Sequence, residues 1–105
     1  MSIITLLSDY GTRGSKIAKA KGLLLSELST TSIIDISHEI SPFNIVEAAY
    51  IMKRSYSNFP RNTIHIIDVD AQYNPEQSLV VSYFDNHYFI TADNGFISLL
   101  SNEIK

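Results

Sequence analysis

Cysteine is absent from this chain of 105 residues, so neither a disulfide framework nor a thiolate metal site can form, and the redox compartment leaves no mark on the sequence. Charge of one sign is scarce as well. The net charge is -3, and the eight Lys and Arg residues are dispersed apart from Lys16, Lys19 and Lys21. That removes the basic footprint on which nucleic-acid binding relies. No apolar stretch approaches the roughly 20 residues that span a bilayer. Residues 1–7 lack both the basic start and the length of a secretion signal. The expectation is a cytoplasmic location, with neither nucleic acid nor membrane as a partner. Also missing are G-x-S-x-G, P-loop and G-x-G-x-x-G patterns, which excludes the commonest hydrolase and nucleotide-phosphate readings. There is no internal repeat, linker or low-complexity segment. One domain is expected, burying roughly two thirds of its unfolded surface.

What is present is an alternation of apolar runs and amphipathic segments. Residues 3–7 form a nearly continuous apolar run, which suits a strand buried on both faces. A Gly-containing loop follows, with Ser15 as the expected N-cap of a helix over 16–28 whose apolar face is Ile17, Ala20, Leu24 and Leu28. Residues 32–36 read as a second strand. A loop with Pro42 leads to Asn44, the expected cap of a helix over 45–56 carrying Ala48, Ala49, Met52 and Tyr56 on its apolar stripe. A third strand over 63–69 completes a strand–helix–strand–helix–strand order, the signature of a parallel α/β sheet with right-handed crossovers. The pattern then changes to a β-hairpin, 79–84 and 87–91 around Asp85-Asn86, and a short final helix over 96–100. The fold class is thus α/β: a three-layer domain with a mainly parallel sheet, followed by a hairpin and a short terminal helix.

Three of these runs lead into acidic residues: Asp9, Asp70 and Asp93. In open α/β sheets ligands bind outside the carboxyl ends of the strands, so these carboxylates mark a candidate site. Each has a structural alternative. Asp9 can accept from a sugar diol or cap the next turn. Asp68 and Asp70 share a parity and suit acid/base work, or Asp68 serves as a hydrogen-bonded structural residue. Asp93-Asn94-Gly95 is a common helix-start sequence. His38, His65 and His87 lack the spacing of a helical metal pair; structural roles are expected, for His38 a hydrogen bond to backbone. Residues 71–78 form a polar loop long enough to bind.

The segments Ile4-Thr5-Leu6-Leu7-Ser8-Asp9-Tyr10-Gly11-Thr12, Lys21-Gly22, Ile34-Asp35-Ile36-Ser37-His38-Glu39-Ile40, Glu47-Ala48-Ala49, Phe59-Pro60, Ile64-His65-Ile66 with Asp70, and Tyr88-Phe89-Ile90 before Asp93-Asn94-Gly95 occur in this order. Together they resemble the amino-terminal domain of the S-adenosylmethionine (SAM) hydrolases, or SAM hydroxide adenosyltransferases, relatives of the SAM-dependent chlorinases and fluorinases. The resemblance implies attack of water on the ribose 5′ carbon of SAM, releasing adenosine and L-methionine, with SAM as substrate and no cofactor or metal. By position it implies Asp70 as the catalytic carboxylate near the water, Asp9 on the ribose hydroxyls, Phe43 as an aromatic beside the substrate, and Asn94 as a further substrate contact.

Two departures qualify what the resemblance implies. The family's Pro-Gly-Val-Gly and arginine pair after the third-strand Asp are replaced by Ala71-Gln72-Tyr73-Asn74-Pro75-Glu76-Gln77-Ser78, so the arginine that helps polarise water has no counterpart. The family's second acidic residue in the first loop is likewise replaced around Gly14-Ser15-Lys16. The family's second, mostly β domain has no counterpart in these residues, so the expected site is one completed in a homotrimer or by a partner domain. A non-catalytic SAM- or adenosine-binding domain, or a trimer-assembly domain, is the alternative.

Overall fold

The structure, a computed structural model, describes residues 2–28, 30–69 and 78–104, with side chains to residue 101. Among the described residues five strands form one sheet: β1 (Ser2–Ser8), β2 (Thr31–Ser37), β3 (Ile64–Asp68), β4 (Leu79–Phe84) and β5 (His87–Ala92), in the order β2-β1-β3-β5-β4. Every pairing is parallel except β4 with β5. Among the described residues the helices are α1 (Lys16–Glu27), α2 (Ile45–Ser55) and α3 (Phe96–Ile104), and a 3-10 turn, Tyr56–Asn58, extends α2.

Register assigns the layers. Leu7, Ile67 and Phe89 are paired or adjacent across β1, β3 and β5 and point toward α2 and α3. There they join Ala48, Ala49, Met52, Tyr56, Phe96 and Leu100 in one buried core. The α2 stripe is therefore the one its apolar spacing predicts. The opposite face carries Leu6 and Ile66 and meets α1. Here the packing is looser: no α1 residue is fully buried, and a cavity of about 290 Å³ lies between Ile17, Ala20 and Leu24 of the helix and Leu6 and Ile66 of the sheet. Leu28, placed on the apolar face by spacing, follows the helix and is exposed, because the chain there turns toward β2. Ser15 stands at the N-cap but its side chain makes no capping hydrogen bond.

The hairpin turn is the one its residues predict. Asp85 and Asn86 both take positive φ (49° and 66°), the mirror-image turn whose twist matches the strands. On β4, Val80, Ser82 and Phe84 face the core side, while Leu79, Val81 and Tyr83 are exposed on the sheet face that α1 does not reach.

Candidate active site

The crossover from β1 to β2 runs to one side of β1, while β3 lies on the other, so the strand order reverses between β1 and β3. At such a switch point the two adjacent loops diverge and leave a crevice at the carboxyl ends of the strands. Ser8 pairs with Asp68 across this point, and Asp9 is the first residue beyond. Asp9 is half-buried, and its Oδ2 accepts the Phe43 backbone N–H at 2.9 Å. Two residues on, Gly11 turns the chain with φ +76°, a conformation only glycine takes at no steric cost, and donates its N–H to the His38 carbonyl at 2.7 Å.

Phe43 comes from the loop after β2. Its backbone is left-handed (φ 64°), uncommon for a residue with a bulky side chain, and the residue is 55% exposed. Three contacts hold that loop: Asn44 Oδ1 caps α2 by accepting the Glu47 N–H at 3.0 Å, Glu47 Oε1 reaches back to the Ser41 N–H at 2.7 Å, and Asp9 takes the Phe43 N–H. The helix cap therefore also fixes where the aromatic ring stands.

Asn94 sits beyond β5, where its Nδ2 donates to the Val69 carbonyl at 2.9 Å and its Oδ1 accepts the Phe96 N–H at 3.1 Å. It thus ties the end of β3 to the start of α3, so Asp9, Phe43 and Asn94 all lie at the carboxyl edge of the sheet. Asp70, the expected catalytic carboxylate, lies outside the described residues, as do positions 71–77 of the polar loop. Asp68 accepts from the Tyr10 hydroxyl. Burial and this carboxylate together push the Tyr10 phenol well above its ordinary pKa, so it remains a neutral donor, and the Lys16 ammonium lies 5.0 Å from its ring centroid.

A string of polar side chains crosses the α1 side of the sheet. Lys21 Nζ donates to Asp35 Oδ2 (2.6 Å), His38 Nε2 contacts Asp35 Oδ1 (2.8 Å), and Ser8 Oγ contacts His38 Nδ1 (2.6 Å). The His38 ring therefore engages side chains, where a backbone bond is expected from its loop position; it is the His38 carbonyl that meets backbone. A carboxylate only accepts, so Nε2 donates to Asp35; in the neutral ring Nδ1 then accepts from Ser8 Oγ–H. Burial alone would raise the Asp35 carboxyl, but the hydrogen bonds from Lys21 and His38 outweigh it and hold the group below its ordinary pKa. Spacing does not reveal this string, because Asp35 and His38 three apart on a regular strand face opposite ways. Among the described residues no group of His, Asp or Glu could hold a metal ion, and no helix is long and apolar enough to cross a membrane.

Residues 4–105 match the family model for the SAM hydroxide adenosyltransferase N-terminal domain. The chain is 33% identical to an (R)-S-adenosyl-L-methionine hydrolase of Methanocaldococcus jannaschii over 109 residues, which is 99% of this chain and 41% of that protein. It is 32% identical to a fluorinase of Actinopolyspora mzabensis over 62 residues, 59% of this chain and 21% of the fluorinase. A crystal structure of an uncharacterized conserved protein from Thermotoga maritima superposes with a TM-score of 0.86 at 28% identity, covering 96% of this chain and 39% of that one. The chain thus spans about two fifths of the length of the hydrolase it matches.

Proposed function

The chain belongs to the SAM hydroxide adenosyltransferase family, through that family's amino-terminal domain, and from this premise we propose that it forms the adenosyl-binding part of a site that hydrolyses SAM to adenosine and L-methionine. The observation that carries the reading is the Asp9–Phe43 pair. A carboxylate at the switch point is aimed by the backbone N–H of an aromatic residue, and that residue is itself held in left-handed backbone with its ring toward solvent. A half-buried carboxylate suits the two hydroxyls of a ribose, and an exposed aromatic face suits a purine or sugar edge.

The leaving group in this chemistry is a neutral thioether expelled from a sulfonium, so no general acid is needed. The protein's task is to place a water in line with the carbon–sulfur bond and accept its proton. Asp70 is assigned that role by its position in the family pattern. A second, mostly β domain, joined in a homotrimer or as a partner, closes the pocket over the substrate. The replacement of the family's arginine at Gln77 or Ser78 favours a second reading, binding of SAM or adenosine without turnover.

Incubation of the chain with SAM, followed by liquid chromatography and mass spectrometry, separates the two. Adenosine and methionine formed by the parent and lost in Asp70→Ala support hydrolysis. Saturable adenosine binding with no product above the spontaneous background supports the binding reading. Neither binding nor product overturns both.

A further inference from the structure

Over the stretch where β1 and β2 pair, β2 runs from Thr31 to Ser37 against Ser2 to Leu7 of β1, one residue more. The pairing Leu6↔Asp35 is followed by Leu7↔Ser37, so Ile36 is a β-bulge. In regular alternation residues 35 and 38 face opposite sides of a sheet. The extra residue brings both to the α1 side, while Ile36 packs on the core cluster. Bulges re-aim side chains in this way, at the cost of a locally broken ladder. The result is that His38 lands beside Ser8, 3% and 7% being the exposures of Ser8 and His38.

From that position one residue grips the chain on both sides of Asp9. The His38 imidazole holds Ser8 Oγ at 2.6 Å, and the His38 carbonyl holds the Gly11 N–H at 2.7 Å. Ser8 Oγ in turn faces the Tyr10 N–H at 3.4 Å. The ring is oriented by Asp35, which Lys21 of α1 anchors at the exposed end of the string. Asp9 itself contacts Phe43, five residues along the same loop as His38.

We propose that His38 is a positioning residue for Asp9, and that the Ile36 bulge, with Asp35 and Ser8, sets the angle at which the Asp9 carboxylate meets a ribose diol. The proposal rests on the adenosyl reading of the Asp9 site. His38 touches no part of the nucleoside; it acts through Ser8 and Gly11. Its loss therefore affects discrimination for the diol, not adhesion of the base.

The test is calorimetric titration of adenosine and of 2′,3′-dideoxyadenosine, which lacks the diol, into the parent chain, His38→Gln and Ser8→Ala. Ser8→Ala removes the inner bond and leaves the His38–Asp35 contact in place, so it serves where His38→Gln is unstable. The parent is expected to prefer adenosine by about tenfold or more, the size of hydrogen bonds to a charged group. In the variants that preference falls to about threefold or less while dideoxyadenosine affinity is unchanged. Equal weakening of both ligands, or a preference that survives in both variants, overturns the proposal. A parent with no preference overturns the ribose reading of Asp9, and amide hydrogen exchange on the ligand-free chain then decides the clamp. Exchange at Gly11 and Phe43 faster by about tenfold in Ser8→Ala supports it, and unchanged exchange overturns it.

Discussion

At the scale of single residues, the candidate site mixes groups that are stabilised by their surroundings with one that is not. Phe43 occupies left-handed backbone, where a side chain costs on the order of 1 kcal/mol or more, and gains little from burial because its ring is mostly exposed. Strain kept at an exposed aromatic accords with the ligand-facing role proposed for Phe43. Phe43→Gly should therefore leave stability unchanged or raise it by up to about 1 kcal/mol, while weakening adenosine binding by about tenfold. Chemical denaturation and calorimetry on the same samples check the two signs. Asn94 is the reverse case. Both ends of its amide engage backbone at the β3–α3 junction, so Asn94→Ala should cost about 1–3 kcal/mol in denaturant unfolding by leaving the Val69 carbonyl and Phe96 N–H without those partners. A cost below about 0.5 kcal/mol would show that water replaces them readily.

At the scale of elements, β1, β3 and β5 carry a second buried polar string on the core face. Thr5 Oγ1 meets His65 Nδ1 at 2.6 Å and His65 Nε2 meets His87 Nδ1 at 3.1 Å, with the His65 ring stacked on Phe89. These are the structural roles expected for both histidines. Burial, with the neighbouring His87, lowers the His65 pKa from 6.5 to about 4. Burial lowers His87 as well, opposed by Asp85. Between pH 6.5 and about 4 the unfolded chain thus binds a proton that folded His65 refuses, so stability is full above that window, falls as pH falls through it, and levels off below. The loss assigned to His65 is on the order of 3 kcal/mol. Urea unfolding across this range should show a shallower decline in His65→Gln than in the parent; parallel curves would remove His65 as the cause.

At the scale of the whole molecule, the two faces of the sheet are unequally filled. The α2–α3 side is a closed core, whereas α1 buries no residue fully and stands over a cavity of about 290 Å³, with Leu23 71% exposed. Few buried contacts mean a low free energy of local opening. Amide exchange should therefore be faster in α1 than in α2 throughout the interior turns of both helices, and equal protection would show that α1 opens only with global unfolding. Filling the cavity should slow that opening. Ala20→Leu, which adds apolar volume at its wall, should raise stability by about 0.5–2 kcal/mol if the space accepts it without strain.

Much of this architecture is legible in the chain itself, because it rests on short-range chemistry. Continuous apolar runs specify strands covered on both faces, the Ala48, Ala49 and Met52 spacing specifies the α2 stripe, and Asp85-Asn86 specifies the hairpin turn. Family membership is equally legible, since it depends on the order of motifs. The position of Asp9 after β1 follows from the same local signals. What only the tertiary structure decided are relations between segments distant in sequence. The Ile36 bulge shifts register by one residue and so puts Asp35, His38 and Ser8 on one face, which no local periodicity encodes. The same holds for the Asp9–Phe43 contact across 34 positions. On β4 both sides of the alternation, Leu79, Val81 and Tyr83 against Val80, Ser82 and Phe84, are mainly apolar, and only the packing of α2 and α3 determines which side is covered. Local sequence sets which groups alternate or cap; the free energy that chooses among pairings arises only when separate elements exclude water together.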